Sequence, residues 1–162
     1  MAKSMKVIEM AKLKLKYEEN PWHFKGEVYQ GPTKHDTAFV YLITDLENGK
    51  KYVGKKQFWS KRKLKPTDKR RTTIESDWRQ YYSSSDTLKA IAKENPRQLY
   101  REIIAVCKHL RHASYLEVKL QFAYGVLESD AWYNDNIAGK WFPSLYNDMA
   151  EKVDADPSLL SS

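Results

Sequence analysis

The chain predicts an α/β fold, a small three-stranded antiparallel sheet flanked by helices. Residues 38–62 carry the first sign of it. Phe39 to Leu46 is rich in β-branched and aromatic residues, Asn48-Gly49 is a hairpin signal, and Lys51 to Phe58 supplies a returning strand. Both turn residues tolerate a positive φ, which a type I′ turn needs twice. The second sign is Gln98 to Val106, an apolar run with Leu99, Ile103, Ile104 and Val106 that reads as a third strand. The third is a pair of helical stripes, Thr87 to Glu94 and the region 113–129.

Taken in order, residues 1–20 read as a short helix or arm, on the spacing of Val7, Met10 and Leu13, with a strand-like end at Leu13, Leu15 and Tyr17. Pro21 and Gly31-Pro32 are breakers, so residues 21–37 read as a loop anchored by Trp22, Phe24 and Tyr29. The hairpin puts Tyr41 and Tyr52 on paired strands, and Gly54 permits a close backbone approach or a bulge. A basic helical segment follows over 59–65, broken at Pro66, and residues 66–77 read as polar and mobile. Ser85 or Asp86 caps a helix with Leu88 and Ile91 facing inward, ending at Asn95-Pro96. Tyr115 to Phe122 alternates as a strand does, yet Leu116, Leu120, Ala123 and Leu127 form a helical stripe. Ser114-x-x-Glu117 matches a capping box, and length and cap favour helix. Trp132 to Tyr146 is an aromatic loop segment. The expected organisation is an extension over 1–37, one domain over 38–146 and a polar tail over 147–162, with no room for a large separate domain after 146.

Composition narrows the function. The net charge is +7 and the pI about 9.3. Between Lys50 and Arg71 stand eleven Lys or Arg against one acid, Asp68. That local excess is larger than the net charge of the chain, and Tyr52, Phe58 and Trp59 interleave with it. Such a field favours a polyanion, nucleic acid above all. No apolar run approaches a membrane span, and the first residues, Met-Ala-Lys-Ser-Met-Lys, lead into no secretory core. The single cysteine, Cys107, excludes an internal disulfide, reads as a buried inert thiol, and fits a cytoplasmic setting. His109 and His112 lack a matching ligand pair for zinc, and His23 and His35 read as ordinary loop histidines.

Phe39-Val40-Tyr41 followed after ten residues by Tyr52-Val53-Gly54 resembles the signature of the GIY-YIG nuclease superfamily. Phe39 departs from that signature's first glycine. Arg62 falls where the family carries an arginine on the next helix, Glu117 resembles its metal-binding glutamate, and Asn134 its closing asparagine. The resemblance spans about residues 38–137. Trp78-x-x-Tyr81-Tyr82-Ser83-Ser84-Ser85 is also similar to a stretch of phage-type members.

This resemblance implies a metal-dependent endonuclease acting on DNA, RNA being the lesser candidate, of phage or mobile, homing or restriction-like type. It implies catalytic roles for Tyr41, Tyr52, Arg62 and Glu117. Glu117 would hold one Mg²⁺ (or Mn²⁺), an ion that binds through one or two carboxylates plus substrate phosphate. Tyr41 would act as general base, provided Lys51, Lys55, Arg62 or the metal lowers a phenol pKa that is ordinarily near 10. Arg62 would offer a bidentate fork to the scissile phosphate. Lys51, Gly54, Lys55, Lys56, Lys61, Lys63 and Asn134 are the expected substrate-binding residues, with only one of Lys55 and Lys56 on the tyrosine face. One such site cuts one strand, so a double-strand break implies a homodimer or sequential nicking. The residues also admit other readings. Two sheet tyrosines, a capping glutamate and a surface arginine would make a non-catalytic nucleic-acid-binding module or an assembly protein with an acidic partner. Glu117-x-Lys119, with Asp77 or Asp86, would imitate another nuclease class if 115–122 were a strand.

Overall fold

The computed structural model describes residues 2–143. The tail expected over 147–162 and the end of the aromatic segment at Tyr146 lie outside the described residues.

An N-terminal helix α1 (Ala2–Glu19) leads into β1 (Trp22–Phe24) and β2 (Glu27–Val28). The hairpin strands β3 (Ala38–Asp45) and β4 (Lys51–Gln57) follow, then β5 (Trp59–Arg62) and β6 (Thr72–Glu75). Helix α2 (Asp86–Glu94), strand β7 (Leu99–Cys107) and helix α3 (Leu110–Ala123) complete the order. The main sheet runs β2-β1-β7-β3-β4, and β5 and β6 form a separate two-stranded sheet.

The expected three strands form one side of the main sheet, β7-β3-β4. β3 pairs antiparallel with both β4 and β7, and its burial on both faces explains its near-continuous apolar run. The sheet is nonetheless larger than the three strands expected. β1 lies parallel to β7 with Trp22 opposite Arg101, and β2 pairs with β1. Three residues after a proline carry no strand periodicity; β1 is made by its non-local partner and by Trp22, which is fully buried.

Four local expectations are corrected. Residues 2–19 form one helix, not a helix with a strand-like end; Tyr17, on its last turn, packs in the core. The Asn48-Gly49 turn is not type I′. Gly49 has φ +77, while Asn48 is not among the positive-φ residues. The Asp45 N–H bonds to the Lys50 carbonyl at 2.8 Å and the Gly49 N–H to the Asp45 carbonyl at 2.7 Å, giving a four-residue connection. Residues 59–62 are a strand rather than a helix: the β-branched run Thr72-Thr73-Ile74 pairs with Trp59–Arg62, which also orders part of the stretch expected to be mobile. Helix α3 starts at Leu110 with His109 before it, so Ser114 and Glu117 stand inside the helix and form no capping box. The helical reading of 115–122 holds, which removes the acid-x-lysine alternative that required a strand.

The sheet separates two cores. Phe39, Tyr41 and Ile43 point into an aromatic core with Trp22, Phe58, Trp78, Leu88 and Leu99. Ala38 and Val40 point to the other face and pack with Val53, Cys107 and Ala113 beneath α3. Cys107 is buried, and burial raises its thiol pKa, as expected of an inert thiol. No helix among the described residues is long and apolar enough to cross a membrane.

Candidate active site

Strand alternation puts Tyr41, Tyr52, Gly54 and Lys56 on the aromatic face. Tyr41 pairs with Gly54, Ile43 with Tyr52 and Phe39 with Lys56. The two tyrosine rings stack diagonally, with centroids 6.2 Å apart and planes 17° from parallel. Gly54 makes this possible by close approach, not by a bulge. A Cβ built on it would stand 2.4 Å from the Tyr41 hydroxyl and 3.0 Å from the Tyr52 ring. The Tyr41 side chain therefore runs across Gly54 toward β4, the edge strand of the main sheet.

Glu117 comes from the opposite face. Its helix α3 packs on β4 and β3 over the second core, and Glu117 Oε2 lies 2.7 Å from Lys55 Nζ. The tyrosines and the glutamate thus do not share a sheet face, which corrects the expectation that Tyr41 and Tyr52 face the same side of the sheet as Glu117. They approach at the β4 edge, where the Glu117 charge contributes to raising the pKa values of Tyr41, Tyr52 and Tyr81. Lys55 belongs to the Glu117 side and Lys56 to the tyrosine side, as alternation required.

A segment between β6 and α2 completes the wall. Trp78 is fully buried; its carbonyl accepts Trp22 Nε1–H at 2.8 Å, and its own Nε1–H donates to Glu75 at 2.7 Å. Arg101 donates to the carbonyls of Arg79 at 3.0 Å and Tyr81 at 2.9 Å. Ser85 caps α2 by accepting the Leu88 N–H. Fixed at both ends, the segment places the Tyr81 ring edge-on against that of Tyr41, with centroids 5.9 Å apart and planes 84° from parallel. It also places Ser84 Oγ 3.0 Å from the Tyr52 hydroxyl. Lys56 Nζ sits 2.6 Å from Asp77 Oδ1 and 4.2 Å from the Tyr81 ring centre. The Lys56 hydrogen bond holds the Asp77 carboxyl below its usual pKa. Tyr81, Ser84 and Asp77 are thus site neighbours whose positions the hairpin motif does not reveal. The run Trp78–Ser85, noted for its similarity to phage-type members, was the one signal for Tyr81 and Ser84.

The electrostatics of Tyr41 oppose the expectation that neighbouring cations lower its pKa. The residue is 1% exposed, and burial, then Tyr81 and Tyr52, push its phenol well above 10. Burial also raises Tyr52, against which the Ser84 hydrogen bond acts. Both hydroxyls are protonated at neutral pH.

Asn134 is 6% exposed and spends its side chain on β4. Its Oδ1 accepts the Val53 N–H at 3.1 Å, and its Nδ2 donates to the Val53 carbonyl at 2.8 Å. Gln121 Nε2 donates to the same carbonyl at 3.0 Å. This is a side chain acting as a partner strand, beside the backbone bonds of Lys51 to Ala131 and Tyr133. Asn134, expected among the substrate-binding residues, supports the strand that carries Gly54 and Lys55.

The basic arm stands apart. Lys61, Arg62 and Lys63 are exposed on and after β5, Arg62 pairs with Thr72, and no contact among the described residues joins them to Tyr41 or Glu117. Arg62 is therefore on a strand, not at the start of a helix. Lys51 is exposed at the other end of β4.

For a divalent cation, the described residues contain no group of three or more His, Cys, Asp or Glu. A lone carboxylate still fits an ion that takes most of its ligands from water and substrate phosphate. Glu117, now paired with Lys55, is the residue that would hold it.

A family model described as "Putative endonuclease segE, GIY-YIG domain" matches residues 22–137. Neither curated proteins nor solved structures gave a match. The matched segment begins at β1 and ends beyond Asn134, so it contains the whole five-stranded sheet, the Trp78–Ser85 wall and α3. The chain belongs to the GIY-YIG nuclease family, of the segE type.

Proposed function

We propose that the protein is a divalent-metal-dependent endonuclease that hydrolyses DNA phosphodiester bonds at the β4 edge. The observation that carries this reading is the packing of Tyr41, Tyr52 and Tyr81 across Gly54, with the Glu117–Lys55 pair on the same edge strand β4. Hydrolysis joins a water oxygen to phosphorus, breaks the bond to the ester oxygen, and must dispose of the water's proton. Glu117 would hold the ion, which would supply charge neutralisation at the phosphate. Lys55 neutralises the Glu117 carboxylate until a cation competes for it.

Tyr41 enters as a phenol. To take the water's proton it passes its own to Tyr81, and Tyr81, half-buried, releases one to solvent. Tyr52 and Ser84 orient the water or the phosphate by hydrogen bonding. The lysines and Arg62 of the β5–β6 arm lie along the DNA backbone, which makes binding steeply salt-dependent.

Supercoiled plasmid incubated with Mg²⁺, with and without chelator, tests the reading. Nicking that needs the ion and is lost in Glu117→Ala is the expected result. Nicking that survives Glu117→Ala would remove the metal assignment. No cleavage of any DNA with Mg²⁺ or Mn²⁺ would remove the endonuclease reading itself.

A further inference from the structure

A cleft of about 490 Å³ lies between the last turn of α1, the Trp78–Ser85 segment and α2. Lys16, Arg79, Lys89, Lys93 and Arg101 line it, against the acids Glu19 and Asp77. Two of these charges are already matched, because Asp77 pairs with Lys56 and Arg79 with Glu75. Lys16, Lys93 and Arg101 have no acidic partner among the described residues, and Lys89 has only a 4.0 Å approach to Asp86. The cleft is therefore cationic after internal pairing.

Arg101 is its deepest charge. It is 1% exposed, yet its guanidinium donates only to backbone carbonyls, those of Asn20, Arg79 and Tyr81. It lies 4.6 Å from the Trp22 ring centre and 4.3 Å from that of Tyr82, and its Nε has no partner. Burial lowers its pKa to about 10, so it keeps its charge at neutral pH. A buried cation without a counter-ion carries a desolvation cost that carbonyl dipoles only partly offset. Two hydroxyls in the same wall have protons to give. Tyr82 accepts from Asn20 at 2.9 Å and Ser83 accepts from the Ser85 N–H at 3.0 Å, which leaves each O–H free to donate.

We propose that this cleft is a second phosphate subsite, holding a backbone phosphate of the same nucleic-acid strand that is cut at the β4 edge. Tyr81 and Asp77 belong to both places: each lines the cleft, and Tyr81 contacts Tyr41. A strand leaving the Tyr41–Glu117 site across Tyr81 meets Lys89 and Lys93, one helical turn apart and exposed on α2. Arg101 sets the field, and the lysines and the Tyr82 hydroxyl make the contacts. The inference rests on the endonuclease reading but is read out without cleavage.

The test compares the Lys89→Ala/Lys93→Ala double variant with wild type and with Lys34→Ala/Lys140→Ala, a charge-matched control at two exposed lysines outside the cleft. Binding of a fluorescent DNA duplex is measured in chelator across a salt series. Removing a phosphate contact is expected to weaken binding about ten-fold at low salt and to reduce the slope of log affinity on log salt by about one. Affinity and slope equal to those of the Lys34→Ala/Lys140→Ala control would overturn the proposal. Inorganic phosphate is titrated in parallel. If the double variant loses inorganic phosphate binding while duplex affinity and slope stay at the control's values, the cleft is a site for a free anion, and the strand assignment fails. Because no divalent ion is present, a protein that never cuts DNA would leave these outcomes readable.

Discussion

Two regions leave β4 and obey opposite rules. The wall of Tyr41, Tyr52, Gly54 and Tyr81 is a buried set of rings in fixed mutual contact. The β5–β6 arm is exposed and cationic, and its register is set by four strand pairs. In the wall, position is everything: the space for one hydroxyl exists because one residue lacks a Cβ. In the arm, on the proposed function, charge matters more than position, and a neighbouring lysine would do nearly what Arg62 does. The difference teaches that the chemistry and the affinity of this domain are separable by mutation, although a single strand connects them.

The largest separation is expected at Glu117. Glu117→Gln should lower plasmid nicking by a factor of about 10²–10³, the usual loss for one group aimed at transition-state charge, while duplex binding measured in chelator stays near wild type. Tyr41→Phe follows. It keeps the ring in the core and removes only the hydroxyl, so nicking should fall about 10²-fold with an unchanged melting temperature. If both readouts stay at wild type, the hydroxyl has no role in the wall.

Gly54→Ala tests the packing half of the contrast. The new methyl meets the Tyr41 ring, which Trp22, Phe39, Tyr52 and Tyr81 enclose. Overpacking of this kind costs about 1–3 kcal/mol, measurable by urea unfolding. Asn134→Ala should cost about 1–2 kcal/mol, because it strands the buried Val53 N–H while Gln121 still serves the carbonyl. Arg62→Ala should do least. It should weaken duplex binding several-fold and reduce the salt slope by about one, with nicking at saturating DNA close to wild type. A 10²-fold loss at saturation would move Arg62 from the arm into the site.

The tyrosines also fix a pH dependence. Tyr17, Tyr29, Tyr41, Tyr52, Tyr81 and Tyr133 all have folded-state pKa values raised above 10, Tyr29 to about 12. Above pH 10 the unfolded chain loses protons that the folded chain retains, so stability is full below that pH and falls as pH rises through it. Tyrosinate absorbance and loss of circular dichroism should therefore appear together. Tyrosinate absorbance that developed fully with the fold intact would show that the rings are not buried as described.

Much of this was legible in the residues. The β3–β4 hairpin, β7, the α2 cap at Ser85 and the helical reading of α3 follow from local patterns that tertiary contacts reinforce. What was not legible is non-local. β1 exists because β7 lies beside it, and β5 became a strand because Thr72–Glu75 came back to pair with it. The same holds for the site. Tyr41, Tyr52 and Gly54 are read from alternation, and Lys55 and Lys56 divide between the faces as alternation demands. Tyr81 and Ser84 reach the tyrosines through a loop that Arg101 and Trp22 hold, and no spacing encodes such a contact. Glu117 reaches the tyrosines around an edge, from the opposite face, which a two-dimensional strand pattern does not show.

The central claim is that one ion-holding site forms at the β4 edge from residues on opposite sides of the sheet. Mn²⁺ titrated into isotope-labelled protein with a short DNA duplex tests it most directly, through paramagnetic broadening of backbone amide signals. Broadening centred on Gly54, Lys55 and Glu117, extending to Tyr52 and Tyr81 and lost in Glu117→Gln, is the expected result. Broadening centred on another part of the molecule, or unchanged in Glu117→Gln, would contradict the account.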